Sequence, residues 1–142
     1  MKKNEAGIFA ILVIFTLLQI GSVLAKGKNT GSDTDSWVAP PTAKNIQNPI
    51  TSDAKVKAEG KKIFEQQCAT CHGNGGKGDG PAGKYLGKKL PDFTKALFSQ
   101  QTDGEIFWKL TNGNAPMPAF KEILSEEKRW QVINYLRTFA SH

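Results

Sequence analysis

The sequence predicts an all-α fold. Three observations carry that expectation: apolar residues recur with helical spacing from Ser52 onward, start and stop signals bracket each run, and no stretch alternates as a half-buried strand would. One domain preceded by an appendage suits a chain of 142 residues with 39% hydrophobic residues.

The appendage comes first. Lys2 and Lys3 precede an apolar run, Ile8 to Leu18, and then the polar-to-small stretch "QIGSVLA", with Val23 and Ala25 as small residues before a cleavage point. Residues 1–25 therefore read as a cleaved export signal. The competing reading is an uncleaved membrane anchor, because Ala6 to Ala25 carries no charge and roughly 20 residues suffice to span a bilayer. The short apolar run and polar Thr16, Gln19 and Ser22 favour cleavage. Both readings put the remaining chain outside the cytoplasm, in the periplasm or tethered to the membrane.

Residues 26–49 are rich in Gly, Ser, Thr, Asn and Pro and show neither helical nor strand periodicity, so they read as a flexible linker. Trp37, Pro40, Pro41 and Pro49 stiffen its second half. An exposed tryptophan is odd in a spacer, and docking of that half against the domain is expected. The domain itself is assigned to residues 50–142.

Within it, Ser52 or Asp53 can cap a helix whose Val56, Gly60, Ile63, Phe64 and Gln67 share one face and lead into Cys68. Gly60 is a poor helix residue, costing about 1 kcal/mol against Ala, so its place on the apolar face implies a second helix crossing at close range. The last helix is the natural candidate. A second helix is signalled by Thr102 and Glu105, spaced as a capping box, with Ile106, Phe107 and Leu110 following and Gly113 as the stop. A third starts at Ser125, has Glu126 and Glu127 in its first turn, and runs through Trp130, Val132, Ile133, Leu136 and Phe139. A shorter helix is expected around Pro81 to Leu90.

The chemistry-bearing stretch is "CATCH", Cys68 to His72, which holds the only two cysteines and one of the two histidines. A disulfide across two intervening residues closes a loop too small to add much constraint. Thiol–disulfide exchange usually accompanies a βαβ pattern, which is missing. Zinc would need four ligands, and beyond Cys68, Cys71 and His72 the mature chain offers only His142 as a further sulfur or imidazole donor. What remains is covalent attachment of one c-type haem, with Cys68 and Cys71 adding to the two vinyl groups and His72 placed beneath the iron as proximal ligand.

A low-spin electron carrier needs a sixth ligand. Met117, the one methionine of the mature chain, lies in "NGNAPMPAF", a loop between two helices rather than an apolar helix face. Pro116 and Pro118 fix the backbone on either side, as holding a thioether at a set distance requires, so Met117 is the expected distal ligand. The rival, His142, is the terminal residue.

"CATCHG", the following "GPAG", "NAPMPAF" and "RWQVINYLRTF" together resemble class I monohaem cytochromes c, over Ile50 to Phe139. The resemblance implies a fold in which the first and last helices cross around one haem, with Gly60 and Phe64 meeting Trp130 or Tyr135. It also implies that the carbonyl of Pro81 accepts the Nδ1 proton of His72, orienting the metal-bound ring. "NGGKGDG" looks like a phosphate cradle, but no strand precedes it and no Gly-Lys-Ser/Thr follows, so it reads as the turn wrapping the haem edge. A domain this small has a thin core, which a bound porphyrin would complete.

The formal charge is +6. Removal of Lys2, Lys3 and Glu5 leaves +5, and two haem propionates would bring it to about +3. Lys84, Lys88, Lys89 and Lys95 crowd the segment after the attachment site, as either a solvated face or a docking ring for redox protein partners with acidic surfaces. Nucleic acid is excluded by compartment. The expected function is outer-sphere electron transport with no enzymatic bond chemistry. The alternatives are a haem subunit of a larger oxidoreductase, or a gas-binding or peroxidatic haem protein should Met117 ligation be weak.

Overall fold

A computed structural model describes residues 37–140. The expected signal (1–25), the first part of the linker and His142 lie outside the described residues. Five α-helices, α1 (Ala54–Gln67), α2 (Ala69–His72), α3 (Ala96–Ser99), α4 (Asp103–Asn112) and α5 (Glu126–Leu136), alternate with 3₁₀ turns at Pro41–Asn45, Gly83–Tyr85, Phe120–Glu122 and Arg137–Ala140. There is no strand among the described residues, so the all-α class holds. None of the described helices is long and apolar enough to cross a membrane.

Each long helix starts on a side-chain cap. Asp53, rather than Ser52, accepts the Val56 N–H at 2.8 Å. Thr102 accepts the Glu105 N–H at 3.2 Å while Glu105 accepts the Thr102 N–H at 2.8 Å, the full capping box. Ser125 accepts from the Lys128 N–H at 3.3 Å. Helix α4 stops at Gly113, whose φ of +65° few other residues adopt without strain. Helix α5 ends at Leu136, earlier than its apolar pattern suggests, and the 3₁₀ turn after it carries Phe139.

The α1–α5 crossing organises the domain. A Cβ built on Gly60 would lie 2.0 Å from the Gln131 carbonyl oxygen and 3.0 Å from the Tyr135 Cβ, so only glycine allows this approach. One turn on, Phe64 is fully buried, with its ring 5.5 Å from Tyr135 and 5.3 Å from Phe139. Of the two aromatics expected at this crossing, Tyr135 is the one that meets it. Trp130 instead stacks on Phe107 of α4, at 3.9 Å and 7°.

The segment preceding α1 is packed rather than splayed. Ala39 and Ala43 are buried, and a Cβ on Gly104 would lie 2.1 Å from the Ala43 carbonyl oxygen, so this strap lies against the first turn of α4. Asn48 donates to Asp103 at 3.2 Å and to Asn134 at 3.4 Å, joining the strap to α4 and α5. Trp37 lies beneath the Lys109 ammonium, 5.8 Å from ring centroid to Nζ.

The helix expected around Pro81 to Leu90 is corrected to a single 3₁₀ turn, Gly83–Tyr85. Gly80 and Ala82 tie the start of this segment to the Cys71 and Thr70 carbonyls, at 3.2 and 3.0 Å, and so fix where the single turn lies. Gly87, with φ of +67°, then turns the chain out of helical space.

Candidate functional site

Helix α1 delivers Cys68, whose carbonyl accepts both the Cys71 N–H at 3.1 Å and the His72 N–H at 2.9 Å. That double acceptance winds the Cys-x-x-Cys-His turn into α2, and Gly73 at φ +76° ends it. The glycine-rich loop then folds back over the turn: Gly78 donates to the His72 carbonyl at 2.8 Å. A Cβ on Gly80 would lie 2.5 Å from both the Thr70 and Cys71 carbonyl oxygens, and one on Gly83 equally close to the latter. The glycines here let backbone lie directly on backbone.

Three of the five expected site residues line one cavity. Cys68, His72 and Met117 share it with Phe64, Phe93, Leu110, Val132 and Leu136. Met117 is held by reciprocal hydrogen bonds with Asn114, each N–H to the other carbonyl at 3.0 Å, which close a tight turn around Ala115 and Pro116. Cys71 is half-buried on the same turn but outside this lining. Both thiols are free.

Pro81 departs from expectation. It is exposed and borders a surface groove with Glu65, Thr70 and Asp79, while the buried Nδ1 of His72 has no hydrogen-bond partner. The expected Pro81–His72 hydrogen bond is thus not formed. The reason is local: the imidazole lies nearly parallel to the Phe93 ring, 4.8 Å away at 25°.

Burial sets the protonation states. It pushes the His72 imidazole down to about 4, so the ring is neutral at physiological pH, the form that offers a lone pair to a metal. Burial, with the neighbouring Cys71, pushes the Cys68 thiol up to about 12. A neutral imidazole and a thioether, enclosed by aliphatic and aromatic walls, fit an apolar macrocycle whose metal takes one nitrogen and one sulfur ligand. Zinc is less well served, since no cluster of three or more His, Cys, Asp or Glu side chains is placed for it among the described residues.

Sequence reasoning did not single out Phe93, Leu110 or Val132 as site residues. Val132 and Leu110 were legible as helix-face positions, yet nothing local marked which part of the core they would line. Phe93 lies in a loop and is brought to His72 by its N–H bond to the Gly76 carbonyl at 2.7 Å, a contact without a sequence signature.

An all-α fold whose first and last helices cross beside a Cys-x-x-Cys-His turn, with a methionine loop across the same cavity, defines a class I monohaem c-type cytochrome carrying covalent haem c. The chain belongs to the family described as cytochrome c oxidase, cbb3-type, subunit III, whose model matches residues 55–136. It is 37% identical over 81 residues to cytochrome c6 of Euglena gracilis, covering 57% of this chain and 90% of that protein. It is 41% identical over 78 residues to cytochrome c6 of Anabaena variabilis, covering 54% and 84%. Among solved structures, the KustC0563 c-type cytochrome aligns with a TM-score of 0.50 and 30% identity, over 56% of this chain and 95% of that one. A chain of the Kuenenia stuttgartiensis reducing HAO-like complex Kustc0457/Kustc0458 aligns with a TM-score of 0.60 and 29% identity, over 66% of this chain but only 49% of that chain. The protein is a monohaem electron carrier of this family.

Proposed function

We propose that the protein works outside the cytoplasm, passing single electrons between redox proteins, with Cys68 and Cys71 as thioether anchors and His72 and Met117 as the axial ligands. The observation that carries this reading is that Cys68, His72 and Met117 line one apolar cavity, although 48 residues of chain lie between the first and the last. Haem c supplies reversible exchange between ferrous and ferric iron. The chain supplies everything else. Cys68, held as a neutral thiol, keeps the S–H that adds across a vinyl group. His72 is kept neutral by burial, and the Asn114–Met117 turn presents the thioether from a fixed backbone. The aliphatic walls exclude water, which limits solvent reorganisation on electron transfer.

On this reading residues 1–25 are a cleaved signal, 26–49 a linker whose second half belongs structurally with the domain, and 50–142 the haem domain. The protein performs no bond chemistry, and its partners are redox proteins whose acidic surfaces meet Lys84, Lys88, Lys89 and Lys95. Mass spectrometry of the exported protein should begin at Lys26, and recovery only in detergent with Met1 to Ala25 intact would establish an anchor instead. The deciding test is optical. The oxidised protein should show a weak sulfur-to-iron charge-transfer band, and the ferrous protein should bind no carbon monoxide at neutral pH. Met117→Ala should abolish the band, lower the potential and admit carbon monoxide. Ready carbon monoxide binding by the unmutated protein would put the gas-binding or peroxidatic reading ahead.

A further inference from the structure

The segment after the wrapping loop runs along the edge of the site. At one end the Gly83 backbone lies against the Cys71 carbonyl. At the other, the Lys88 ammonium reaches the Ala115 carbonyl at 3.4 Å, at the tip of the turn that holds Met117. Residues 83–88 therefore bridge the turn carrying the attachment cysteines and the loop carrying the methionine. Midway, the 3₁₀ turn leaves Tyr85 89% exposed, the most exposed large hydrophobic side chain of the described residues.

A single exposed hydrophobic residue needs no explanation by itself. This one differs in its setting. From Gly80 to Pro91 the chain carries Lys84, Lys88 and Lys89 and no carboxylate, whereas exposed Leu97 and Ile123 have no such cluster about them in sequence. A tyrosine offers a large, stiff apolar ring at low entropic cost, and such rings, encircled by polar groups, dominate the energy of protein interfaces. The lysines would speed encounter and select the partner, but such rim charges add little to the affinity that a buried ring supplies.

We propose that Tyr85 is the apolar anchor of a cationic docking face, seating in a small apolar depression at the centre of an acidic surface on the partner redox protein. This rests on the carrier reading above and adds the residue that sets the docked geometry. The exposed turn makes the proposal testable without unfolding the domain.

The test uses the full-length, haem-loaded protein and two oxidants, hexacyanoferrate(III) as a small anionic probe and an acidic blue-copper protein as a protein-sized one, followed by stopped flow. Lys84→Gln with Lys89→Gln should slow both reactions and flatten their dependence on salt. Tyr85→Ala should lower the protein-probe rate relative to the hexacyanoferrate rate at least about tenfold. Tyr85→Phe, which keeps the ring, should restore the ratio, and Leu97→Ala should not move it. A ratio that stays within twofold on Tyr85→Ala, with wild-type rates still falling with salt, overturns the anchor and leaves the cationic face standing. Wild-type rates indifferent to salt overturn the face and the anchor together.

Discussion

The helical frame and the loop from Gly73 to Phe93 hold their shapes by opposite means. In the frame, side chains decide: Phe64, Trp130, Val132 and Ile133 are almost wholly buried, and Phe107 lies flat on Trp130 with the Arg129 guanidinium 5.1 Å from its ring. In the loop, backbone decides: Gly78, Gly80 and Ala82 spend their N–H groups on the carbonyls of α2, and Gly80 and Gly83 are glycine because a Cβ on either would strike those carbonyls. The frame is thus broken by removing atoms and the loop by adding them. The loop, more than the frame, shapes the immediate surroundings of the attachment turn.

The hardest blow to the frame is Phe64→Ala. Deleting a fully buried ring in contact with Phe93, Tyr135 and Phe139 should cost about 3–5 kcal/mol, read as a lower denaturant midpoint with an unchanged slope. The matching change in the loop adds a methyl group. Gly80→Ala sets a Cβ 2.5 Å from two carbonyl oxygens and should cost roughly 1–3 kcal/mol, with a reduced yield of covalently attached haem on export.

Gly87→Ala sharpens the comparison, since nothing lies within 4 Å of its built Cβ and only its φ of +67° is unfavourable. About 1 kcal/mol is expected, with haem yield unchanged. A loss equal to that of Gly80→Ala would mean that backbone conformation, not close approach, governs the loop. Within the frame, Thr102→Ala removes one half of the capping box and should cost about 1 kcal/mol in thermal or chemical unfolding. Smallest of all, Lys61→Ala breaks an exposed pair with Glu65 at 3.8 Å and should change stability by at most about 0.5 kcal/mol.

The same division explains what could be read in advance. The three capped helices, the close crossing at Gly60 and the stop at Gly113 are local or periodic features, so each left a mark in the residues themselves. The short helix α3 and the turns at Pro41–Asn45 and Phe120–Glu122 left none strong enough to anticipate. The expected helix after Pro81 stops at one turn because Gly87, at φ +67°, takes the chain out of helical space, a conformation that glycine permits but does not announce.

The sequence by itself determined the class of the protein and its cofactor, because Cys-x-x-Cys-His is a covalent fact needing no third dimension. Tertiary structure decided which side chains share the cavity, that Tyr135 and not Trp130 meets Gly60, that Phe93 rather than the Pro81 carbonyl attends His72, and that Tyr85 stands out among the lysines. Those outcomes depend on backbone groups choosing among acceptors remote in sequence and on rings choosing among neighbours of similar apolar character. Such choices are settled only when the whole chain packs at once.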